Sequence, residues 1–212
     1  TVNLGPEAVI GSSTWHETGQ VGAQDGYILD DSNVTMPSVQ PPDVYGSFTP
    51  AGGTVNGTNY TYVLGDGKYT LSTLANRMVV TGNATLLVTR QLNITGEDFI
   101  RIMPGASLTM YVAARTANLA GLGVINDSSQ AGSFLYLGLP SNTSLAVSGN
   151  GEFSGVIYAP DTDLQLNGEG NVYGAVVAKT GTLNGEFSFH FDESLNRSLD
   201  LKHIQVVEWK EL

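Results

Sequence analysis

Asp161 and Asp163, in the segment APDTDL, are the strongest candidates for chemistry in this sequence. Alternate carboxylates in a turn can hold a hard cation together with backbone carbonyl groups, which makes the pair a candidate calcium site. A complete calcium site takes about six to eight oxygen ligands, and two aspartates supply only part of them. Asp side chains also hydrogen-bond in solvated turns without any metal. We therefore expect no cofactor, with calcium at Asp161 and Asp163 as the single candidate.

A second reading of the acidic residues is hydrolysis of polysaccharides on a β-sheet face. Such a pair needs carboxyl groups about 5–10 Å apart with unequal pKa values. The other residues that such a site would draw on are Glu169, Asp192 and Glu193, with Lys179 and His190. His190 alternates with phenylalanines in FSFHF and is expected to face outward. Scattered surface carboxylates are the commoner explanation in an acidic protein, and no Ser/His/Asp arrangement, phosphate loop or zinc-spaced His pair is visible, so we predict a protein that is not an enzyme.

The amino-acid composition restricts the classes of partner that this chain is expected to bind. The chain has 212 residues, 20 acidic against 9 basic, and a net charge of −11. Nucleic acids and anionic membranes need Lys and Arg to neutralise phosphates, so neither is expected to bind this segment. There is no run of eighteen apolar residues that would span a bilayer, and without cysteine the chain has no disulfide or thiolate metal site.

An internal repeat identifies the elements that must position these residues. The segment VSGNGEFSGVIYAPDTDLQLNGEGNVYGAVVAK aligns with itself at an offset of 19, which places Leu145 on Leu164 and Ile157 on Val176. LNGE at 166–169 recurs at 183–186. A period of roughly 14–19 residues is too short for a propeller blade and suits one coil of a β-solenoid. We predict an all-β, single-stranded, right-handed β-helix with Val, Ile and Leu stacked inside.

Glycines mark the expected corners between strands, because they supply positive φ and allow close approach of neighbouring coils. Each one follows a short polar residue that can hydrogen-bond to the backbone. The predicted corner glycines are Gly82, Gly96, Gly149, Gly168 and Gly185.

The chain is expected to form one structural domain with two parts. Residues 1–52 form an N-terminal cap, or an incomplete first coil, and a Pro-rich strap around Pro37, Pro41 and Pro42. Residues 53–212 form the solenoid, ending in a capping strand over LDLKHIQVVEWKEL that would cover an aggregation-prone edge.

Several segments resemble a bacterial domain family of uncharacterised function. They are VTGNATLLVTRQLNITGEDFIRIMPGASLTMYV, FSGVIYAPDTDL, YGAVVAK, LNGEFSFHFDESL and VVEWKEL, in the family's order. The family is found at the C-terminus of PilX-type, pilus-assembly-like surface proteins, especially in Verrucomicrobia. The resemblance covers roughly residues 30–212 and implies a β-helix in an extracytoplasmic location, with no enzymatic activity. The family's N-terminal membrane or pilin-like helix is missing here, whether by cleavage, deletion or absence from the gene.

These observations lead to one function and one alternative. The first is a non-catalytic, extracytoplasmic structural or adhesive module, whose partners are other subunits of a surface or pilus-like assembly or a surface glycan. The alternative is a carbohydrate-binding or carbohydrate-active β-helix with exposed aromatic residues. The aromatic candidates are Tyr111, Tyr136, Tyr158 and Tyr173, although such tyrosines are more often core or stacking residues.

The Asn-x-Ser/Thr positions and the arrangement of the threonines are weaker indications of function. Eight Asn-x-Ser/Thr positions occur, Asn142 among them, and in a chain this rich in Asn, Ser and Thr coincidence is the expected explanation. The threonines do not follow the regular Thr-x-Thr rows of an ice-binding solenoid, so ice binding is not expected.

Overall fold

The structure is a computed structural model that describes residues 2–4, 9–28, 35–44, 46–128, 130–149, 153–168, 170–185, 187–192 and 195. The helical residues described there are α1 (Ser13–His16), a 3-10 turn (Ala131–Ser133) and Leu195. The strands are β1 (Val2–Leu4), β2 (Val9–Ile10), β3 (Gly22–Ala23), β4 (Gly53–Val55), β5 (Thr58–Tyr60), β6 (Tyr62–Leu64), β7 (Gly67–Leu74), β8 (Met78–Val80), β9 (Asn83–Ile94), β10 (Phe99–Ile102), β11 (Ser107–Val112), β12 (Thr116–Leu119), β13 (Gly123–Asn126), β14 (Phe134–Gly138), β15 (Ser144–Gly149), β16 (Phe153–Gly168), β17 (Gly170–Asn184) and β18 (Phe187–Phe191). The predicted all-β fold is confirmed.

Parallel pairing between successive passes of the chain organises these strands. Among the described strands, β4 and β5 form the single antiparallel pair. A ten-stranded sheet has the order β1-β17-β16-β14-β11-β9-β12-β15, with β7 on β9 and β18 on β17. A four-stranded sheet has the order β13-β10-β8-β6. The longest strands belong to two ladders each, since β9 pairs with β11 through its first half and with β12 through its second.

Three ladders surround one apolar interior. The hairpin face consists of β6, β8, β10 and β13, and the β4–β5 hairpin covers it on the outside. The strap face consists of the first part of β7, β9, β16 and β17 with β11 and β14. The polar face consists of the second part of the same long strands with β12 and β15. Inward side chains alternate with outward ones, and Leu86, Ile100 and Leu145, one from each face, are fully buried.

The strand register reproduces the sequence repeat in the last passes. Leu145 lies opposite Leu164, and Asn167 lies opposite Asn184, 17 positions later. The first described pass also has the predicted length, since Gly67 lies opposite Ala84, 17 positions later. The middle passes are longer than 14–19 residues, and there Asn142 hydrogen-bonds to Ala114, 28 positions before it.

The predicted Pro-rich strap runs along the outside of the strap face. Val39 is buried against Tyr158, whose hydroxyl donates a 2.7 Å hydrogen bond to the Pro37 carbonyl. Nearer the first passes, Lys68 Nζ lies 3.0 Å from Asp43 Oδ2. The four strand spacings between these two contacts add up to about 19 Å. The strap residues between them span roughly 20 Å when extended, which is about the same distance.

The first strand joins the last pass. Val2 of β1 lies opposite Gly181 of β17, while the beginning of β17 pairs with β18. β1 therefore covers a strand edge that would otherwise be free to pair with another chain. Whether the N-terminal part forms a cap or an incomplete first coil stays a prediction. The predicted C-terminal capping strand lies outside the described residues, and the division after residue 52 stays a prediction.

Candidate functional site

The two candidate metal ligands lie on a bulge between the strap face and the polar face. β16 and β17 are in register at Ala159 and Ala178, and again at Asp163 and Thr180, so β16 has two more residues than β17 at this corner. Asp163 is exposed, and its Oδ1 accepts a 2.7 Å hydrogen bond from the Thr180 hydroxyl. Asp161 is partly exposed, but its Oδ2 is buried and has no hydrogen-bond partner within the described residues.

This corner falls short of a complete cation site. Among the described residues, no three or more His, Asp or Glu side chains are grouped so that they would hold a metal. Calcium takes about six to eight oxygens. The hydrogen bond from Thr180 accounts for the position of the Asp163 carboxylate. Calcium at Asp161 and Asp163 stays a prediction.

A buried polar network lies on the inner side of the same corner. Asn142 is fully buried, its Nδ2 donates to the Ala114 carbonyl at 2.7 Å, and its Oδ1 accepts from the Tyr136 hydroxyl at 2.8 Å. Thr162 is also fully buried and donates to the Asn142 carbonyl at 2.5 Å. The network therefore ties three consecutive passes together in the interior, where an unpaired polar group is costly.

This network was not predicted from the sequence. The commoner expectation for Tyr136, a core position, is confirmed, and the alternative that it is an exposed aromatic residue is wrong. Tyr136 points inward on β14, and its burial raises the pKa of the phenol far above the ordinary value, although the hydrogen bond to Asn142 acts in the opposite direction. The buried Asn142 has no room for a glycan in the folded protein. A detectable signal was the Pro-x-polar pattern, present in Pro140-Ser-Asn142 and again in Pro160-Asp-Thr162.

The other three tyrosines differ in their surroundings. Tyr158 is buried beneath the strap, and desolvation, with a smaller contribution from the Asp161 carboxylate, raises the pKa of its phenol. Tyr111 is half-buried beside the same strap. Tyr173 is half-buried and stacks on His190, with ring centroids 4.7 Å apart. The prediction of an exposed aromatic platform is therefore wrong for Tyr158 as well as for Tyr136.

The remaining residues proposed for hydrolysis do not converge. The Asp192 carboxylate accepts a hydrogen bond from the Ala131 backbone, at the corner where β14 begins. Asp161 lies at the corner where the strap face ends, about 20 Å away along one strand. That separation exceeds the 5–10 Å of a hydrolytic pair. Lys179 is exposed beside the bulge, and His190 is exposed against Tyr173, whereas Glu169 and Glu193 lie outside the described residues.

Four of the predicted corner glycines form one column where the chain leaves the polar face. The register and close contacts align Gly96, Gly121, Gly149, Gly168 and Gly185. A Cβ on Gly121 or Gly185, both at positive φ, would collide with the carbonyl oxygen of the preceding glycine in the column. Gly121 was missed because it follows an alanine rather than a short polar residue. Gly82 lies at a different corner, where a Cβ would come within 2.5 Å of the Asp66 backbone nitrogen.

The outward side of the polar face is a flat array of short, mostly uncharged side chains. Its positions are Gln91, Asn93, Thr116, Asn118, Ser144, Ala146, Ser148, Asp163, Gln165, Asn167, Thr180, Thr182 and Asn184. Asp163 is the one charged residue in this set. Amides hydrogen-bond along the stack, with Asn118 Nδ2 3.1 Å from Asn93 Oδ1 and Asn184 Nδ2 2.8 Å from Asn167 Oδ1. This array continues across four neighbouring strands of the described chain, β12, β15, β16 and β17, and the second part of β9.

Comparison with known families gives the assignment. The profile described as "Domain of unknown function (DUF7305)" matches residues 31–198, which is most of the chain. The chain belongs to this family. No curated protein and no solved structure matches it.

The family assignment leaves the biological setting of the DUF7305 chain as a prediction. The PilX-type context and the Verrucomicrobial source stay expectations from the resemblance. The helices in the described residues are all too short or too polar to cross a membrane. Chemically, the described residues of this DUF7305 protein offer a buried polar corner, a covered strap face and an open polar face.

Proposed function

We propose that this chain is a single-stranded β-solenoid that serves as a non-catalytic structural or adhesive module outside the cytoplasm. In this proposal it belongs to a bacterial cell-surface or pilus-like assembly, and its partners are other subunits or a surface glycan. The right-handed, coil-by-coil winding is part of the same proposal.

The observation that carries the proposal is the continuous apolar interior. Buried side chains from all three faces form one cluster that extends from Leu64 to Leu183. Each pass covers the pass before it, which is the arrangement that makes repeat proteins rigid along their axis. Residues that cross-link passes, such as Asn142 and Thr162, are buried inside rather than gathered in a cleft. These features support a mechanical role.

Incubation with a panel of neutral and acidic polysaccharides, followed by measurement of new reducing ends, tests the absence of catalysis. We expect no product from the natural chain. Turnover that disappears in Asp161→Ala or Asp163→Ala, while a variant altered at the exposed Gln40 keeps it, would contradict a non-catalytic module.

Localisation and assembly need a separate experiment. Antibody labelling of intact cells of the source bacterium is expected to detect the protein at the surface, and electron microscopy is expected to show it in surface assemblies. Detection only after lysis, together with a cytosolic marker, would contradict the proposed location.

The alternative, a carbohydrate-binding β-helix, is favoured by the open polar face. The array between Gln91 and Asn184 suits a hydroxyl-rich ligand better than a charged one, because its amide and hydroxyl groups both donate and accept hydrogen bonds.

A further inference from the structure

The polar face is the one ladder whose outer side the described chain leaves open. The strap covers the outside of the strap face through Val39, and the β4–β5 hairpin covers the hairpin face through Tyr60. On the polar face, Gln91, Gln165 and Asn184 are exposed on three different passes. A surface that stays accessible along the stack is available to an extended ligand.

The charge of this face restricts its ligand. The whole chain carries −11, yet Asp163 is the one charged member of the polar-face array, and it lies at the edge beside Thr180. Arg90 and Arg115 are exposed at the edge of the array, but the array itself contains no Lys or Arg, and the net charge of the protein repels an acidic polymer. A cation would find one carboxylate. An uncharged, hydroxyl-rich ligand fits this surface better than either.

The array is also periodic and partly pre-organised. Neighbouring passes are spaced by about 4.8 Å, so similar side chains recur at that step along the stack. The Asn118 amide uses one N–H to bond Asn93, which holds it in place and leaves its second N–H and its oxygen for another partner. Side chains that are already ordered lose less entropy when a ligand binds.

We propose that the polar face binds a neutral polysaccharide along the stacking axis through rows of amide and hydroxyl side chains. A polymer of sugar units repeats at a step comparable to the strand spacing and presents hydroxyl groups that match both donors and acceptors. This inference rests on the proposed function, since it identifies the surface and the ligand class by which an adhesive module would hold a glycan.

The test is co-sedimentation with insoluble cellulose, chitin and amylose, together with affinity electrophoresis in gels containing dextran, alginate or polygalacturonate. The natural chain is expected to bind at least one neutral polymer and neither acidic one. Ala146→Arg places a long side chain in the middle of the array and is expected to weaken binding by about tenfold or more. Ala51→Arg makes the same change at an exposed position beside the β4–β5 hairpin and is expected to leave binding unchanged.

A second variant guards against misfolding. Asn118→Leu combined with Gln165→Leu removes two amides of one row without adding bulk, and it is expected to weaken binding by about tenfold while the thermal unfolding midpoint shows that the fold is retained. Equal binding by Ala146→Arg, Ala51→Arg and the natural chain would overturn the inference. So would binding to none of the neutral polymers, preference for the acidic ones, or ice-growth inhibition without polysaccharide binding.

Failure of this inference and failure of the proposed function give different results. Absence of binding with no polysaccharide turnover removes the ligand but leaves the non-catalytic module. Release of shorter products by a chain that binds through the polar face removes the non-catalytic function but leaves the binding surface.

Discussion

Replacement of Asn142 by alanine tests the buried polar network most directly. The substitution removes the side-chain partner of two buried groups, the Tyr136 hydroxyl and the Ala114 carbonyl. Each buried polar group left without a hydrogen bond costs about 1–3 kcal/mol, so the free energy of unfolding is expected to fall by about 2–6 kcal/mol. Equilibrium urea unfolding followed by circular dichroism measures this loss, provided that the m-value is unchanged.

A matched control and a double-mutant cycle complete the design. Asn184→Ala removes an exposed amide that bonds Asn167 at 2.8 Å, and it is expected to change the free energy of unfolding by less than about 0.5 kcal/mol. Adding Tyr136→Phe to Asn142→Ala removes the hydroxyl that would be left unpaired, so the double variant is expected to lose less stability than the sum of the two single variants. A loss below about 1 kcal/mol for Asn142→Ala, or strict additivity in the cycle, would refute the reasoning.

Three further predictions concern the backbone, the strap and the response to alkali. Gly174→Ala is expected to destabilise by more than about 2 kcal/mol in thermal or urea unfolding, because a Cβ at this positive-φ position collides with the Gly155 carbonyl; Gly181→Ala on the same strand meets no atom and is expected to be neutral or slightly stabilising. Tyr158→Phe removes the hydrogen bond to the Pro37 carbonyl of the strap, and it is expected to lower the free energy of unfolding by about 0.5–1.5 kcal/mol and to speed proteolysis near residues 35–44. An unchanged cleavage rate would show that this hydrogen bond does not hold the strap in place. The pKa of Tyr136 is raised in the folded state, so the contribution of its protonated phenol to stability is complete below the unfolded pKa of 10.0 and falls above it by up to about 1.4 kcal/mol per pH unit. In urea titrations above pH 10.0, the free energy of unfolding of Tyr136→Phe is expected to decline less steeply with pH than that of the natural chain. Identical slopes would contradict this.

The repeated part of the fold could be predicted because its physical requirements are visible in the residues. Leu145 and Leu164 occupy equivalent inward positions, and the glycines that follow them lie at one corner. The offset of 19 residues in the sequence repeat is therefore the offset between residues paired in adjacent parallel strands. The middle passes are longer by different amounts, as the pairings of β9 with β12 and of β12 with β15 show, and an alignment at one period does not detect them. The predicted period of 14–19 residues therefore matches the strand register only in the first and last described passes.

The candidate site was less predictable because side-chain direction at a bulge does not follow strand alternation. Asp161 and Asp163 were predicted as metal ligands because they are carboxylates. The residue between them, Thr162, is buried in the core, where its hydroxyl donates a hydrogen bond to the Asn142 carbonyl. The outward polar array could not be predicted from the sequence for a different reason. Its members, for example Asn118 and Gln165, lie far apart in sequence and become neighbours only through the parallel register.

The distribution of covered and open edges limits how this module can associate end to end. β1 occupies the edge of β17 on the polar face and is itself the edge strand there. The last described strand of the stack is β18, where Phe189 and Phe191 are 45% and 59% exposed because no described pass lies over them. We expect an end-to-end contact that uses β18 to bury these two aromatic residues and to leave the outward side of the polar face accessible. Assembly and glycan binding can operate on separate surfaces of the same molecule.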